Sequence, residues 1–279
     1  MMKKLKEYAN RPLSFIVYLL IILSAVITGA VVLLIIGYII IKGVPNLKPE
    51  LFALKYTSKN QSMLPSIINT VYITFLTLLI SVPVGVFSAI YLAEYANKKS
   101  KLVRLINIAN ETLAGIPSIV YGLFGFLAFV ISQKWGYSLI SGVITLAIMV
   151  LPVIIRTSQE ALLGVDMSFR EASYGLGAGK LRTVFKIVLP SATPGILSGI
   201  ILAIGRIVGE TAALIYTAGT VPDAAASLTS SARTVSVHLY CLLNEGLFTE
   251  QAYATAVVLV VFVVIINTLS NLLAKKIMK

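Results

Sequence analysis

The chain is nearly without the side chains that ligate metals, cross-link loops or serve as catalytic nucleophile and base. It carries one cysteine, Cys241, and one histidine, His238, which excludes an internal disulfide framework and a Cys/His metal site. Both read as packing residues of an outer loop. Acidic residues number 11 against 23 Lys and Arg, and charged residues make up only 12% of the chain, where a soluble domain carries roughly a quarter. That shortage of charge excludes an ordinary soluble core inside a solvated shell. What is present instead is 58% hydrophobic residues and a mean hydropathy of +0.93, the composition of a multi-pass membrane protein.

A helix needs about 20 apolar residues to cross roughly 30 Å of hydrocarbon. Six such runs are predicted, over 13–41, 67–92, 105–130, 137–155, 191–217 and 253–273, so that 1–279 is one transmembrane domain of the all-α class. The third run is interrupted by Glu111 and the fifth by Arg206 and Glu210. The first is not a cleavable signal, because its 29 uncharged residues exceed an h-region and no small-residue cleavage site ends it. Sixteen of the 23 Lys and Arg fall at the N-terminus (Lys3, Lys4, Lys6, Arg11), in the second loop (Lys98, Lys99, Lys101, Arg104), in the fourth loop (Arg156, Arg170, Lys180, Arg182, Lys186) and in the tail (Lys275, Lys276, Lys279). Cytoplasmic segments hold such an excess, so both termini are placed in the cytoplasm. Charge split among four segments accounts for the net +12 without a nucleic-acid partner.

The fourth loop, 156–190, is a polar island. Ser168 followed by Glu171 fits a capping box and predicts a short helix starting near Phe169. Gly175, Gly177 and Gly179 supply a stop and a turn, after which Lys180–Val188 resumes as a second helix ending at Pro190. The run from Gly175 to Lys180 imitates a phosphate-binding loop, but Tyr174 and Leu181 stand where a Walker A loop needs glycine and Ser or Thr. No ATP site, metal site or catalytic constellation is readable in the chain.

Glu171-Ala172-Ser173, three residues, Gly177, nine residues and Ile187-Val188-Leu189-Pro190 resemble the EAA loop of ABC-importer permeases, with Ser173 in place of the second alanine. The resemblance implies a type I ABC-importer permease fold of six transmembrane helices, with a cytoplasmic coupling helix that seats in the ATPase subunits. Glu171, Ala172, Ser173, Gly177, Ile187, Leu189 and Pro190 would then make the coupling contact. Arg206-Ile-Val-Gly-Glu210-Thr-Ala-Ala-Leu214, Leu113–Gly122 and Thr234–Tyr240 with Ala252–Ala256 resemble segments of the PstA family of phosphate permeases; Ala212 favours that family over its sister, PstC. The expectation is a multi-pass plasma (cell inner) membrane subunit of an ATP-driven phosphate importer. Its implied partners are a PstC-type permease, a PstB-type ATPase dimer that holds the ATP and Mg, a PstS-type extracytoplasmic binding protein, phosphate and the lipid bilayer, with no nucleic acid. Other oxyanions (sulfate, molybdate or phosphonate) and an anion channel are the alternatives.

The residues support a path independently of the family. An arginine at a helix centre costs about 3 kcal/mol on insertion scales and should face a cavity or a partner. On a continuous fifth helix Glu210 lies about 40° round from Arg206, so the two can pair, either as a structural bridge or as a pair that opens for the anion. Glu210 could then accept the proton of a phosphate hydroxyl that sulfate lacks. The same wheel sets Thr217, and by adjacency Thr211, along the path, while Gly195 with Gly199 and Gly205 with Gly209 are GxxxG spacings for close helix packing. Ser118 and Tyr121 line the path or pack in the core; Glu111 lines a gate or is a solvated interfacial carboxylate.

Overall fold

The computed structural model describes residues 12–97 and 99–277. Lys3, Lys4, Lys6, Arg11, Lys98 and Lys279, which contribute to the orientation argument, lie outside the described residues. Regular structure among the described residues is helical: α1 (Pro12–Gly43), α2 (Leu64–Ile90, continued by a π turn at Tyr91–Tyr95), α3 (Lys101–Ala114), α4 (Ser118–Gly125, continued by a π segment at Phe126–Ser132), α5 (Leu139–Leu163), α6 (Met167–Gly175), α7 (Lys180–Thr183, with a π turn at Val184–Val188), α8 (Leu189–Gly209), α9 (Ala212–Thr217), α10 (Val235–Glu245) and α11 (Thr249–Ile277). Five helical stretches, Leu13–Asn46, Leu64–Tyr95, Leu139–Leu163, Lys180–Gly209 and Thr249–Lys276, are long and apolar enough to cross a membrane. The bent pair α3 and α4 makes a sixth when its two helices are taken together as one broken span.

The third span is not the single helix expected over 105–130. It breaks between Ala114 and Ser118 and turns through 103°. Pro117 is the cause: it lacks an N–H and disfavours helical backbone at Ile116. The Tyr121 hydroxyl locks the bend by donating to the Leu113 carbonyl at 2.8 Å, which also accepts the Ile116 N–H at 3.1 Å. The fourth span runs eight residues past its expected end as an amphipathic extension: Leu162 is buried in a second core, while Arg156 and Glu160 pair at 2.9 Å on the exposed face.

The fifth span departs twice from expectation. Pro190 does not end the second helix of the polar island; Lys180–Gly209 is one stretch of 30 residues. The π turn at Val184–Val188 shifts the hydrogen-bond register ahead of Pro190, which accommodates the missing N–H. At the far end the expected helix over 191–217 breaks at Glu210, whose backbone is extended at φ −71° and ψ 130°, before α9 resumes.

Helix α5 is the centre of the bundle: 61% of its most apolar window is buried, against none of that of α1. Leu146, Met149, Val150 and Ile154 of α5 meet Ile73 of α2, Tyr121 of α4, Ala203 and Ile207 of α8 and Leu214 of α9 in the main core. Helix α1 stands outside this core against α11, where Tyr38 meets Tyr253 edge-on at 5.9 Å. The loop 218–234 closes the end of the molecule opposite α6. Buried Asn69 clamps it, donating to the Asp223 and Arg233 carbonyls at 3.0 and 3.2 Å and accepting from the Ala225 N–H at 2.9 Å.

Candidate functional site

The break at Glu210 decides the electrostatics of the fifth span. Arg206 lies in the last turn of α8 and Glu210 immediately precedes α9. A cation near a helix C-terminus and a carboxylate near an N-terminus are each favoured by the helix dipole, by about 0.3–1 kcal/mol or more when partly buried. Glu210 Oε1 accepts the Ala213 N–H at 3.1 Å, and its carbonyl accepts the Ser236 hydroxyl at 2.6 Å. The expected Arg206–Glu210 pair does not form, because the wheel that joined the residues assumes one unbroken helix. Each charge is accommodated by its own half-helix instead.

Arg206 is half-buried and makes no hydrogen bond or ion pair with any described residue. It lines an open cavity of about 650 Å³ with Val153, Ser198, Ile201, Leu202, Gly205, Asn267 and Asn271. Ser198, Asn267 and Asn271 were missed in the sequence, although two asparagines four residues apart in an apolar span put two amides on one helix face. The cavity thus combines one unpaired guanidinium, neutral polar groups and apolar walls. That set can replace part of the hydration of a small anion.

The other expected path residues separate. Thr217 is buried in α9, its hydroxyl donating to the Ala213 carbonyl at 2.7 Å, so it faces the core and not the cavity. Thr211 is half-buried at the break and Ser118 half-buried at the start of α4. Tyr121 is buried, within electrostatic reach of Arg206, but its hydroxyl is used at the bend. Glu111 is exposed on α3 and lines a separate cavity of about 380 Å³ with Arg104, Asn107 and Gln159. Of the expected packing glycines, Gly195 backs onto Ala161 and Gly199 onto Thr157 of α5, whereas Gly205 and Gly209 meet nothing within 4 Å. The close approach at α9 is made by Gly122, whose added Cβ would stand 2.9 Å from the Ala213 Cα.

The polar island forms a hairpin at the end of α5. Its first helix starts two residues before the expected Phe169, and its cap is Asp166, not Ser168: Asp166 Oδ1 accepts the Ser168 N–H at 2.8 Å. Those hydrogen bonds from Ser168 hold the Asp166 carboxyl below the usual carboxylate range. Gly177 turns the chain at φ +80°, a conformation that side-chain-bearing residues adopt at a cost of about 1–2 kcal/mol. Ser173 is buried and its hydroxyl meets that of Thr183 at 2.8 Å, so the departure from alanine ties the two arms of the hairpin together. Glu171, Ala172 and Pro190 are exposed, with Leu176 90% exposed beside them. Ile187 and Leu189 are half-buried, and Leu189 packs on the core of Ala89, Ile90, Leu162, Val184 and Val188.

One further link was invisible in the sequence. Arg170 of α6 is buried and donates to Glu94 Oε1 from Nε at 3.2 Å and from Nη2 at 2.6 Å. It also donates to the Val165 and Leu162 carbonyls at 2.7 and 2.8 Å. The hairpin is therefore bolted both to the end of α2 and to the end of α5.

A family model described as "Binding-protein-dependent transport system inner membrane component" matches residues 81–279. The probable ABC transporter permease protein YqgI of Bacillus subtilis is 34% identical over 92% of this chain and 93% of its own length. The phosphate transport system permease protein PstA of Pasteurella multocida is 33% identical, covering 84% of each chain. PstA 2 of Mycobacterium bovis is 35% identical over 75% of this chain and 70% of its own. Among solved structures, a chain of a bacterial alginate ABC transporter superposes with a TM-score of 0.71 at 14% identity, over 98% of each chain. A chain of the inward-facing MetNI methionine ABC transporter gives 0.62 at 19%, over 84% of this chain and 100% of that one. These last two likenesses establish the fold: that of a type I ABC-importer permease.

Proposed function

The chain belongs to the family of binding-protein-dependent transport system inner membrane components, and we propose that within it the chain is the PstA-type permease subunit of an ATP-driven phosphate importer. The observation that carries this reading is the unpaired Arg206 in its open cavity, joined by the single helical stretch Lys180–Gly209 to the exposed hairpin at the other end. Relatives named as phosphate permeases, 33–35% identical over three quarters or more of the chain, favour phosphate as the anion.

In this reading the partners are a PstC-type permease, a PstB-type ATPase dimer that binds and hydrolyses ATP with Mg, and a PstS-type binding protein. The ATPase seats on Glu171, Ala172 and the apolar side chains Leu176, Phe169 and Leu181, which are 53–90% exposed. Its closure moves α6, and the movement reaches Arg206 along α7 and α8. Both termini lie in the cytoplasm of a cell whose plasma membrane the chain spans. A hydrated dianion entering the cavity meets paired guanidinium donors, which suit a tetrahedral oxyanion. It need not first displace Glu210, since the carboxylate is engaged at the start of α9. Selectivity against sulfate by Glu210 is thereby replaced by selectivity from the neutral polar groups of the cavity, which can accept the phosphate hydroxyl.

The test is ATP-dependent uptake of labelled phosphate by vesicles holding this chain with its three partner subunits, with and without excess sulfate. Phosphate uptake that persists in sulfate is expected. Equal competition by sulfate, or sulfate uptake alone, would assign the importer to another oxyanion.

A further inference from the structure

The Arg206 cavity has an inner end, and the packing of α5 on α8 shows which side chains stand there. Gly195 meets Ala161 and Gly199 meets Thr157, so the two helices run antiparallel in a fixed register. Extended by that register, Arg156 of α5 is level with Ile200 of α8, six residues short of Arg206. At 1.5 Å per residue the two arginines are about 9 Å apart along the helix axes, with Arg156 nearer the hairpin.

Arg156 also stands on the cavity's side of that contact. It immediately precedes Thr157, as the cavity-lining Ser198 immediately precedes Gly199. On antiparallel helices one step back from the contact turns each side chain the same way. Val153, which lines the cavity as well, lies three residues outward from Arg156, on the neighbouring turn of the same face. A guanidinium on a long, flexible stem reaches the inner rim of the cavity from there.

This rim is accessible and charged. The side chains of Arg156 and Glu160 are 58% and 64% exposed, although α5 is the most deeply buried of the long spans. Arg156 Nε donates to Glu160 Oε1 at 2.9 Å, which leaves both Nη groups without a partner among the described residues. Glu111 of α3 lies within electrostatic reach of the same guanidinium. One cation thus stands among two carboxylates, so an anion that meets the open edge of the fork is held weakly and pushed away.

We propose that Arg156 is the release site of the transported anion: its Nη edge takes the tetrahedral oxyanion as it leaves Arg206, and Glu160 and Glu111 expel it on the hairpin side. The identity of that oxyanion as phosphate rests on the proposed function. The exchange is one of hydrogen bonds alone, with Glu160 holding Arg156 whenever the rim is empty. Two cations about 9 Å apart give the anion a second partner before it is free of the first.

The experiment is the initial rate of phosphate uptake by vesicles holding the assembled importer, loaded with ATP and with rising internal phosphate. Glu160→Gln removes an opposing charge and frees the whole fork, so the internal phosphate that halves the rate should fall at least fivefold. Adding Arg156→Gln to Glu160→Gln should return that concentration to within twofold of wild type. Adding Arg156→Lys instead, which keeps the charge and loses the fork, should give a value between the two. A Glu160→Gln importer within twofold of wild type overturns the proposal, and so does a double variant with Arg156→Gln that is as sensitive as Glu160→Gln alone. An exposed pair one turn apart contributes little to folding, so matched assembly is expected; failure of Glu160→Gln to assemble would make the pair a structural one and also overturns the proposal. If wild type imports sulfate and not phosphate, the phosphate reading falls, and the same series with internal sulfate decides the role of Arg156 separately.

Discussion

The Glu94–Arg170 bolt makes the sharpest quantitative prediction. Arg170 makes four hydrogen bonds, two to Glu94 and two to the carbonyls that end α5. Both side chains are at most 8% exposed, so solvent screening is small. Removing one member of a buried pair costs about 3–5 kcal/mol. That is too little to unfold the spans but enough to undock α6, the helix that, among the described residues, this arginine and Ser173 hold to the rest of the chain by side-chain bonds. In Arg170→Gln the backbone amides of α6 should exchange with deuterium roughly a hundredfold faster or more, at about 1.4 kcal/mol per power of ten, while those of α5 around Met149 stay protected. Glu94→Gln keeps an acceptor and should cost less, on the order of 1–3 kcal/mol. Reversing the pair should fail to rescue, because a glutamate at position 170 would face the Leu162 and Val165 carbonyls. Exchange of α6 within threefold of wild type in Arg170→Gln, or full rescue by the reversed pair, would refute the reasoning.

Two more outcomes follow from packing. Gly199→Leu should prevent α8 from closing on α5, since an added Cβ already falls on the Thr157 side chain, whereas Gly205→Ala should leave the folded chain unchanged because its Cβ meets nothing within 4 Å; yields of monodisperse protein measure both. Ser173→Ala should lose the bond to Thr183 and about 1 kcal/mol. Thermal melting of the purified chain reads that loss, and an unchanged melt would show that the hydroxyl contributes nothing.

The spans and the hairpin were legible because hydropathy and charge report what a segment is dissolved in, and a lipid-facing helix obeys that rule along its whole length. Direction was less legible. The run 105–130 has the composition of one span, yet Pro117 folds it back on itself, and only the local backbone rule for proline carried that information. The fifth run failed for the same reason in reverse. A helical wheel placed Arg206, Glu210 and Thr217 on one face, while the charges are better accommodated at the two ends of a broken helix than side by side on a whole one. Glu94 and Arg170, 76 residues apart, leave no periodic trace, and their pairing depends on where two loops end in space. Asn267 and Asn271 did leave a trace, two amides on one face of an apolar helix.

Arg206 is the residue proposed to meet the anion. The measurement is the initial rate of ATP-dependent phosphate uptake by vesicles holding the assembled importer, comparing wild type with Arg206→Ala and Arg206→Lys at matched subunit content. The account predicts that Arg206→Ala lowers uptake at least a hundredfold, with Arg206→Lys retaining part of the rate. Uptake by Arg206→Ala within twofold of wild type would contradict it and move the anion path away from the α8 cavity.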